Sequence, residues 1–149
     1  FRQNVRKNSK VFLCATEKLA FLCNNSYARR TFFMKKNIIV KKNSVTYQIP
    51  PQNVVYMEKD LRRIVIHLSG MASSELVVYG SFHDLIPNLD ERFLYCHRSY
   101  IINMDEIIIM SHNQILLSSN EGIYFGKDTY RKAQKTFEEY MQRKRKEFS

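Results

Sequence analysis

The sequence predicts a mainly β domain that holds one short internal helix and closes on a longer C-terminal helix. From Ile38 onward, apolar residues recur with period two in short runs separated by turn-forming clusters. Near Ser81, and again after Asp128, the period lengthens to that of a helix. The 149 residues are 44% apolar and include nine Tyr and ten Phe, enough for one real core and too many for a disordered chain.

Residues 11–15 (VFLCA) read as a short buried strand, Thr16 as the N-cap of a short helix, and residues 31–34 (TFFM) as another apolar run. This β-α-β pattern is too short for a core of its own. Ile38-Ile39-Val40 starts the period-two region. Residues 44–49 then place Val45, Tyr47 and Ile49 on one face, with Lys42-Asn43 as the hairpin turn. Residues 54–57, 64–68 and 75–79 are the next three strands. Residues 81–89 read as one short helix with Phe82, Leu85 and Ile86 on a face and Pro87 near its end. Strands follow at 93–96, 101–102, 107–110, 114–117 and 122–125. A last helix from Asp128 to about Lys146 lines Tyr130, Ala133, Phe137, Tyr140 and Met141 along one stripe, and Arg143-Lys144-Arg145-Lys146 suits the negative end of its dipole.

The net charge of +10 is unevenly spread. Residues 1–43 carry eleven Lys/Arg against one acid, and residues 131–149 carry seven against three. Residues 44–130 carry six against ten, so the folded body is acidic. A basic chain seeks polyanions, and contacts from this body must come from a few placed cations: Lys59, Arg62, Arg63, Arg98 and Lys127. The basic run at the end of the last helix reads as a capping or solvated tail that adds at most non-specific affinity.

Little in the chain points to catalysis. His67, His83, His97 and His112 share no metal-ligand spacing, so no metal is expected. The four glycines form no phosphate-binding loop and no nucleophile elbow, and no cofactor is implied. His97 and Ser99 are not a base and nucleophile, since no orienting acid accompanies them. His97 reads first as a hydrogen-bonded structural residue and second as a DNA contact. Cys14, Cys23 and Cys96 form no C-x-x-C and leave an odd count, which favours reduced thiols and a cytoplasmic location. No apolar run is long enough to span a membrane, and no membrane partner is expected. The chain opens on Phe1, which reads as a fragment of something longer.

The stretch Phe93-Leu94-Tyr95-Cys96-His97-Arg98-Ser99-Tyr100-Ile101-Ile102-Asn103 resembles the signature of the LytTR DNA-binding family. The surrounding order agrees: an Ile38-Ile39-Val40 hairpin, Val54-Val55-Tyr56-Met57-Glu58 before a basic loop, and Tyr79-Gly80-Ser81-Phe82 opening a helix. Tyr95 departs from the signature, where Arg is common. The resemblance implies an elongated multi-sheet β domain that lays loops, not a recognition helix, into two successive major grooves of double-stranded DNA and the minor groove between. It places base contacts on Arg62, on Arg98, and on Lys127 with Arg131 as the alternative; Lys59, Arg63 and His97 complete the candidate set. It also implies paired direct repeats occupied by two copies side by side.

Residues 11–35 resemble the end of a response-regulator receiver. The first Asp of the chain is Asp60, so the phosphoacceptor pocket of a receiver is missing from it. The expected organisation is a receiver-like remnant or linker at 1–35, a LytTR-type DNA-binding domain at 36–135, and a basic helical tail at 136–149. The expected function is a sequence-specific transcription regulator. Its rival is a receiver-less interaction module that modulates a partner regulator, and an RNA-binding sheet is a third reading without the expected aromatic pattern.

Overall fold

The structure, a computed structural model, describes residues 36–148. The readings for residues 11–35 lie outside the described residues. The chain divides between Lys36 and Asn37 into two units, and the second begins at Asn37.

Ten strands and two helices make up this second unit. A hairpin, β1 (Ile38–Lys42) and β2 (Val45–Ile49), precedes β3 (Val54–Asp60), β4 (Arg63–Leu68) and β5 (Glu75–Tyr79). The short helix α1 (Phe82–Leu85) leads to β6 (Phe93–His97) and β7 (Tyr100–Asn103). Next come β8 (Ile107–Ser111), β9 (Gln114–Leu117) and β10 (Gly122–Tyr124), and finally α2 (Lys127–Phe148). The strands form a two-stranded sheet β1-β2, a five-stranded antiparallel sheet ordered β5-β4-β3-β7-β6, and a three-stranded sheet ordered β10-β9-β8. The mainly β fold with one short internal helix and a C-terminal helix is as the sequence predicts.

The five-stranded sheet is covered on both faces, which is why its middle strands read as unbroken apolar runs. On one face Val54, Met57, Ile64, Ile66, Val78 and Ile101 pack with Ile38, Val40 and Ile49 of the β1–β2 hairpin and with Phe82 and Leu85 of α1. On the other, Val55, Tyr56, Leu94 and Ile102 pack with Ile115, Leu117 and Ile123 of the three-stranded sheet and with Tyr130, Ala133 and Tyr140 of α2. A register shift between Val54 and Tyr56 lets the consecutive Val55 and Tyr56 serve the same core, which strict alternation would forbid.

Several boundaries differ from the sequence reading for identifiable reasons. The β1–β2 turn is Asn43-Ser44, not Lys42-Asn43: Lys42 pairs with Val45, and the two loop residues both take positive φ, 49° and 68°, as a type I′ turn demands. Val45 and Tyr47 share a face with Ile49 but overhang the core and stay exposed. The helix read at 81–89 is one turn, Phe82–Leu85, followed by a 3-10 turn at Ile86–Asn88, since Pro87 removes a donor; Ile86 is exposed. Along α2, Met141 faces outward, and the buried stripe runs from Tyr130 and Ala133 past Phe137 to Tyr140 and on to the half-buried Lys144. The helix is continuous across positions 135 and 136. Among the described residues no helix is long and apolar enough to cross a membrane.

The end of β7 is fixed by Asn103, which is fully buried. Its amide nitrogen donates to the Val54 carbonyl at 2.7 Å, and its side-chain oxygen accepts from the Asp105 amide at 3.0 Å. One side chain thus satisfies the start of β3 and caps the 3-10 turn Met104–Glu106. Asn103→Leu strips the buried Val54 carbonyl and the part-buried Asp105 amide of their side-chain partner, so it should cost about 2–4 kcal/mol. Urea denaturation of the variant checks this; an unchanged midpoint would mean that the two backbone groups find other partners.

Candidate nucleic-acid interface

The strand order brings the sequence-predicted cations together. β3 and β4 are joined by the two-residue turn Leu61-Arg62, since Asp60 pairs with Arg63. β6 and β7 are joined by Arg98-Ser99, since His97 pairs with Tyr100. Tyr100 in turn pairs with Glu58, so both turns lie at the same end of the sheet. The Lys59 amide donates to the Ser99 carbonyl at 2.8 Å, which ties one turn to the strand that leads into the other. The two hairpin centres are two strand spacings apart, about 10 Å.

The α2 start is held at the same end. Phe125, buried just before Gly126, meets Tyr100 edge-on with ring centroids 5.9 Å apart, and lies 6.1 Å from the His97 ring. Lys127 and Arg131 on the first turns of α2 are exposed there. Lys59, Arg62, Arg63, His97, Arg98, Lys127 and Arg131 therefore gather around one end of the domain, drawn from three separate segments of the chain.

Their local roles differ. Arg62 and Arg98 are exposed at turn positions, and among the described residues no ion pair holds either guanidinium. Arg63 is paired with Asp60 across the hairpin, so part of its charge is already committed. His97 accepts the Ser99 amide hydrogen on Nδ1 at 3.1 Å, which leaves Nε2 as the donor and shapes the turn that carries Arg98. That bond supports the structural reading of His97. Tyr95 packs edge-on against Phe82 at 5.9 Å, so at this position an aromatic contact to α1 replaces the common Arg. Cys96 is half-buried, and burial pushes its thiol up to about 12, which keeps it protonated and unreactive. The sixth cation of the acidic body, Arg92, is buried and donates from Nε to both oxygens of Asp90 at 3.0 Å, a structural pair.

Behind the cationic end, Glu58, Glu75 and Glu121 surround the Tyr56–His67 pair. Tyr56 stacks on His67 at 4.0 Å and donates its hydroxyl to Glu121; burial first, then Glu121, raise its pKa. Nε2 of His67 is buried without a hydrogen bond, 3.7 Å from Glu58, and Nδ1 is 3.5 Å from Glu75. Among the described residues no three His, Cys, Asp or Glu side chains group to hold a metal.

Two features escape the sequence reading. Leu61 is 84% exposed at the tip of the β3–β4 hairpin with φ 57°, a conformation that costs an aliphatic residue about 1–2 kcal/mol. A signal is present: the turn reads Asp60-Leu61-Arg62-Arg63, with no Gly or Asn where a tight hairpin wants one. The second is the α2 tail, which lies at the opposite end of the β6–β7 hairpin from the Arg98-Ser99 turn. Arg143 is 3.8 Å from Glu91, and Lys144 donates to Asp105 at 2.5 Å. Nothing in the spacing of the basic run shows which acids fold back onto it.

These features define a β domain that presents its placed cations on turns at one end. The profile of the LytTr DNA-binding domain family matches residues 44–138. A search of curated proteins finds no match. Among solved structures, the chain is similar to the LytTr DNA-binding domain of a putative methyl-accepting/DNA response regulator from Bacillus cereus, with a TM-score of 0.54 and 20% identity over 68% of this chain and 96% of that one. The chain belongs to the LytTR family of DNA-binding domains.

The tail contact has a pH signature. Burial raises the Asp105 carboxyl, but hydrogen bonds from Lys144 and Tyr140 and the charges of Lys144 and Arg92 outweigh it and hold the group below its ordinary value. A carboxyl depressed in the folded state contributes stability that is fully present above its unfolded pKa, near pH ~4, and is lost as the pH falls through the lower folded value. Lys144→Met should therefore lower the thermal midpoint at pH 7, and the gap to the parent should narrow as the pH falls below the unfolded value and through the lower folded one. Melting curves across this range check it; a gap that persists at low pH would assign the effect to packing.

Proposed function

We propose that this chain is the sequence-reading part of a transcription regulator, and that it reads double-stranded DNA with the β3–β4 turn, the β6–β7 turn and the start of α2. The observation that carries this reading is the convergence of Arg62, Arg98 and Lys127, isolated in an acidic body, on one end of the domain. Arg suits both turns because its planar fork bonds guanine O6 and N7 together. Exposed at hairpin tips, Arg62 and Arg98 enter grooves as loops. Lys59 and Arg63 flank them as phosphate contacts, and Lys127, with Arg131 as the alternative, reads a base from the α2 start. His97 acts by shaping the Arg98 turn.

The tail takes a smaller part. With Arg143 and Lys144 engaged by Glu91 and Asp105 at the far end, it serves the fold before it serves the polyanion. Two copies occupy paired direct repeats spaced near one helical turn, ~10 bp, on one face of the duplex.

The test is a binding titration on a duplex selected from a random pool and on a scrambled duplex, at several salt concentrations. Arg62→Ala and Arg98→Ala should each cost ~1–3 kcal/mol on the selected duplex and blur preference at one base pair. Lys59→Gln, at a phosphate contact, should instead weaken both duplexes alike and flatten the salt dependence. Equal losses on both duplexes for Arg98→Ala, with the fold intact, would make Arg98 a backbone clamp. Failure to select any duplex would favour the partner-modulating module instead.

A further inference from the structure

We propose that Leu61 is a specificity-determining residue that seats on the 5-methyl group of a thymine. The proposal rests on the DNA reading above and adds to it an apolar contact beside the arginines. It starts from a contrast among turns. Six non-glycine residues among the described ones have positive φ: Asn43, Ser44, Leu61, His112, Asn113 and Asn120. Five are residues whose polar side chains serve such turns, and Leu61 alone is aliphatic. The β1–β2 and β8–β9 hairpins fill their positive-φ positions with polar residues, Asn43-Ser44 and His112-Asn113. The β3–β4 hairpin does not, although Asn or Gly at position 61 would relieve it.

Nor does the core claim this side chain. Leu61 is 84% exposed, the most exposed large apolar residue described, and lies at the tip of the hairpin. The turn is nevertheless well held. The Gly80 amide donates to the Arg62 carbonyl at 3.1 Å, the Asp60–Arg63 ion pair closes its base, and the Lys59 amide is bonded to Ser99. A strained, solvent-facing leucine on a rigid hairpin is a side chain displayed for a partner.

The surroundings say which partner. Leu61, Arg62, Arg63 and Tyr79 line one shallow depression, so the apolar tip is bordered by two guanidinium groups and by a Tyr79 ring that is 74% exposed. The complementary surface is a small apolar spot set among negative charges and hydrogen-bond acceptors. The thymine methyl is the apolar group that the major groove offers, beside base-edge acceptors and between rows of phosphates. Arg62, next in the chain, then addresses a base next to that thymine.

The experiment replaces each thymine of the selected duplex in turn by deoxyuridine, which removes the methyl group and nothing else. Binding is titrated for the parent chain, Leu61→Asn and Leu61→Gly, and each protein's thermal midpoint is recorded. One deoxyuridine position should weaken the parent about three- to five-fold, the effect of burying one methyl group. At that position neither variant should respond, and both midpoints should hold or rise, since Asn and Gly adopt φ 57° more readily. Deoxyuridine substitutions that affect parent and variants equally at every position would overturn the proposal and leave the arginine reading standing, with Leu61 left to a protein contact. A fall in both midpoints would overturn the argument that Leu61 is held there at a cost to the fold. A parent chain that selects no duplex would overturn the DNA reading, and this contact with it.

Discussion

The arrangement depends on β3 being paired on both edges and buried on both faces. With β4 on one side and β7 on the other, β3 fixes the direction of both neighbours, and antiparallel pairing then leaves the Leu61-Arg62 and Arg98-Ser99 turns at one end of the sheet. The bulge at Val55 makes double burial possible, because it gives Val54 and Met57 to one core and Val55 and Tyr56 to the other. Asn103 anchors the opposite end of the same pairing. Two cation-bearing turns far apart in sequence are thus set by one strand's hydrogen bonds, with no contact needed between the arginines.

Much of the fold is legible in the sequence because period and turn chemistry are local. The change to period two at Ile38 and the return to helical spacing before Tyr130 mark the all-β region within a few residues. The apolar run from Val54 to Met57 announces a strand, and its burial on both faces emerges only with the tertiary packing. What the sequence hides depends on tertiary partners. Met141 belongs to the apolar stripe by spacing alone, but the helix turns it outward and continues the stripe toward Lys144, because Asp105 waits there. The short α1 shows the reverse case, where Pro87 is plain to see but its effect on Ile86 is larger than the spacing suggests.

The candidate site is legible in part for a similar reason. Counting charge singles out Arg62, Arg98 and Lys127 as isolated cations, and the strand pairing places them at a common end. Arg63 and Arg92 are equally visible as charges, yet Asp60 and Asp90 hold them, and a count cannot separate a committed guanidinium from an available one. The basic tail, read as a capping or solvated run, poses the same problem: its charges are visible, but not that Glu91 and Asp105 engage two of them at the other end. Leu61 shows the opposite failure, since hydrophobic residues are read as core by default and this one stands at a hairpin tip.

The central claim is that one end of the domain, built from three chain segments, meets the duplex. Backbone amide chemical shifts followed by NMR during titration with the selected duplex, at near-physiological salt, test it most directly. The account predicts the largest changes at residues 59–63, 97–99 and 126–131, with residues 143–146 and the β1–β2 hairpin nearly unmoved. Changes centred on residues 143–146, with the two turns unperturbed, would contradict it.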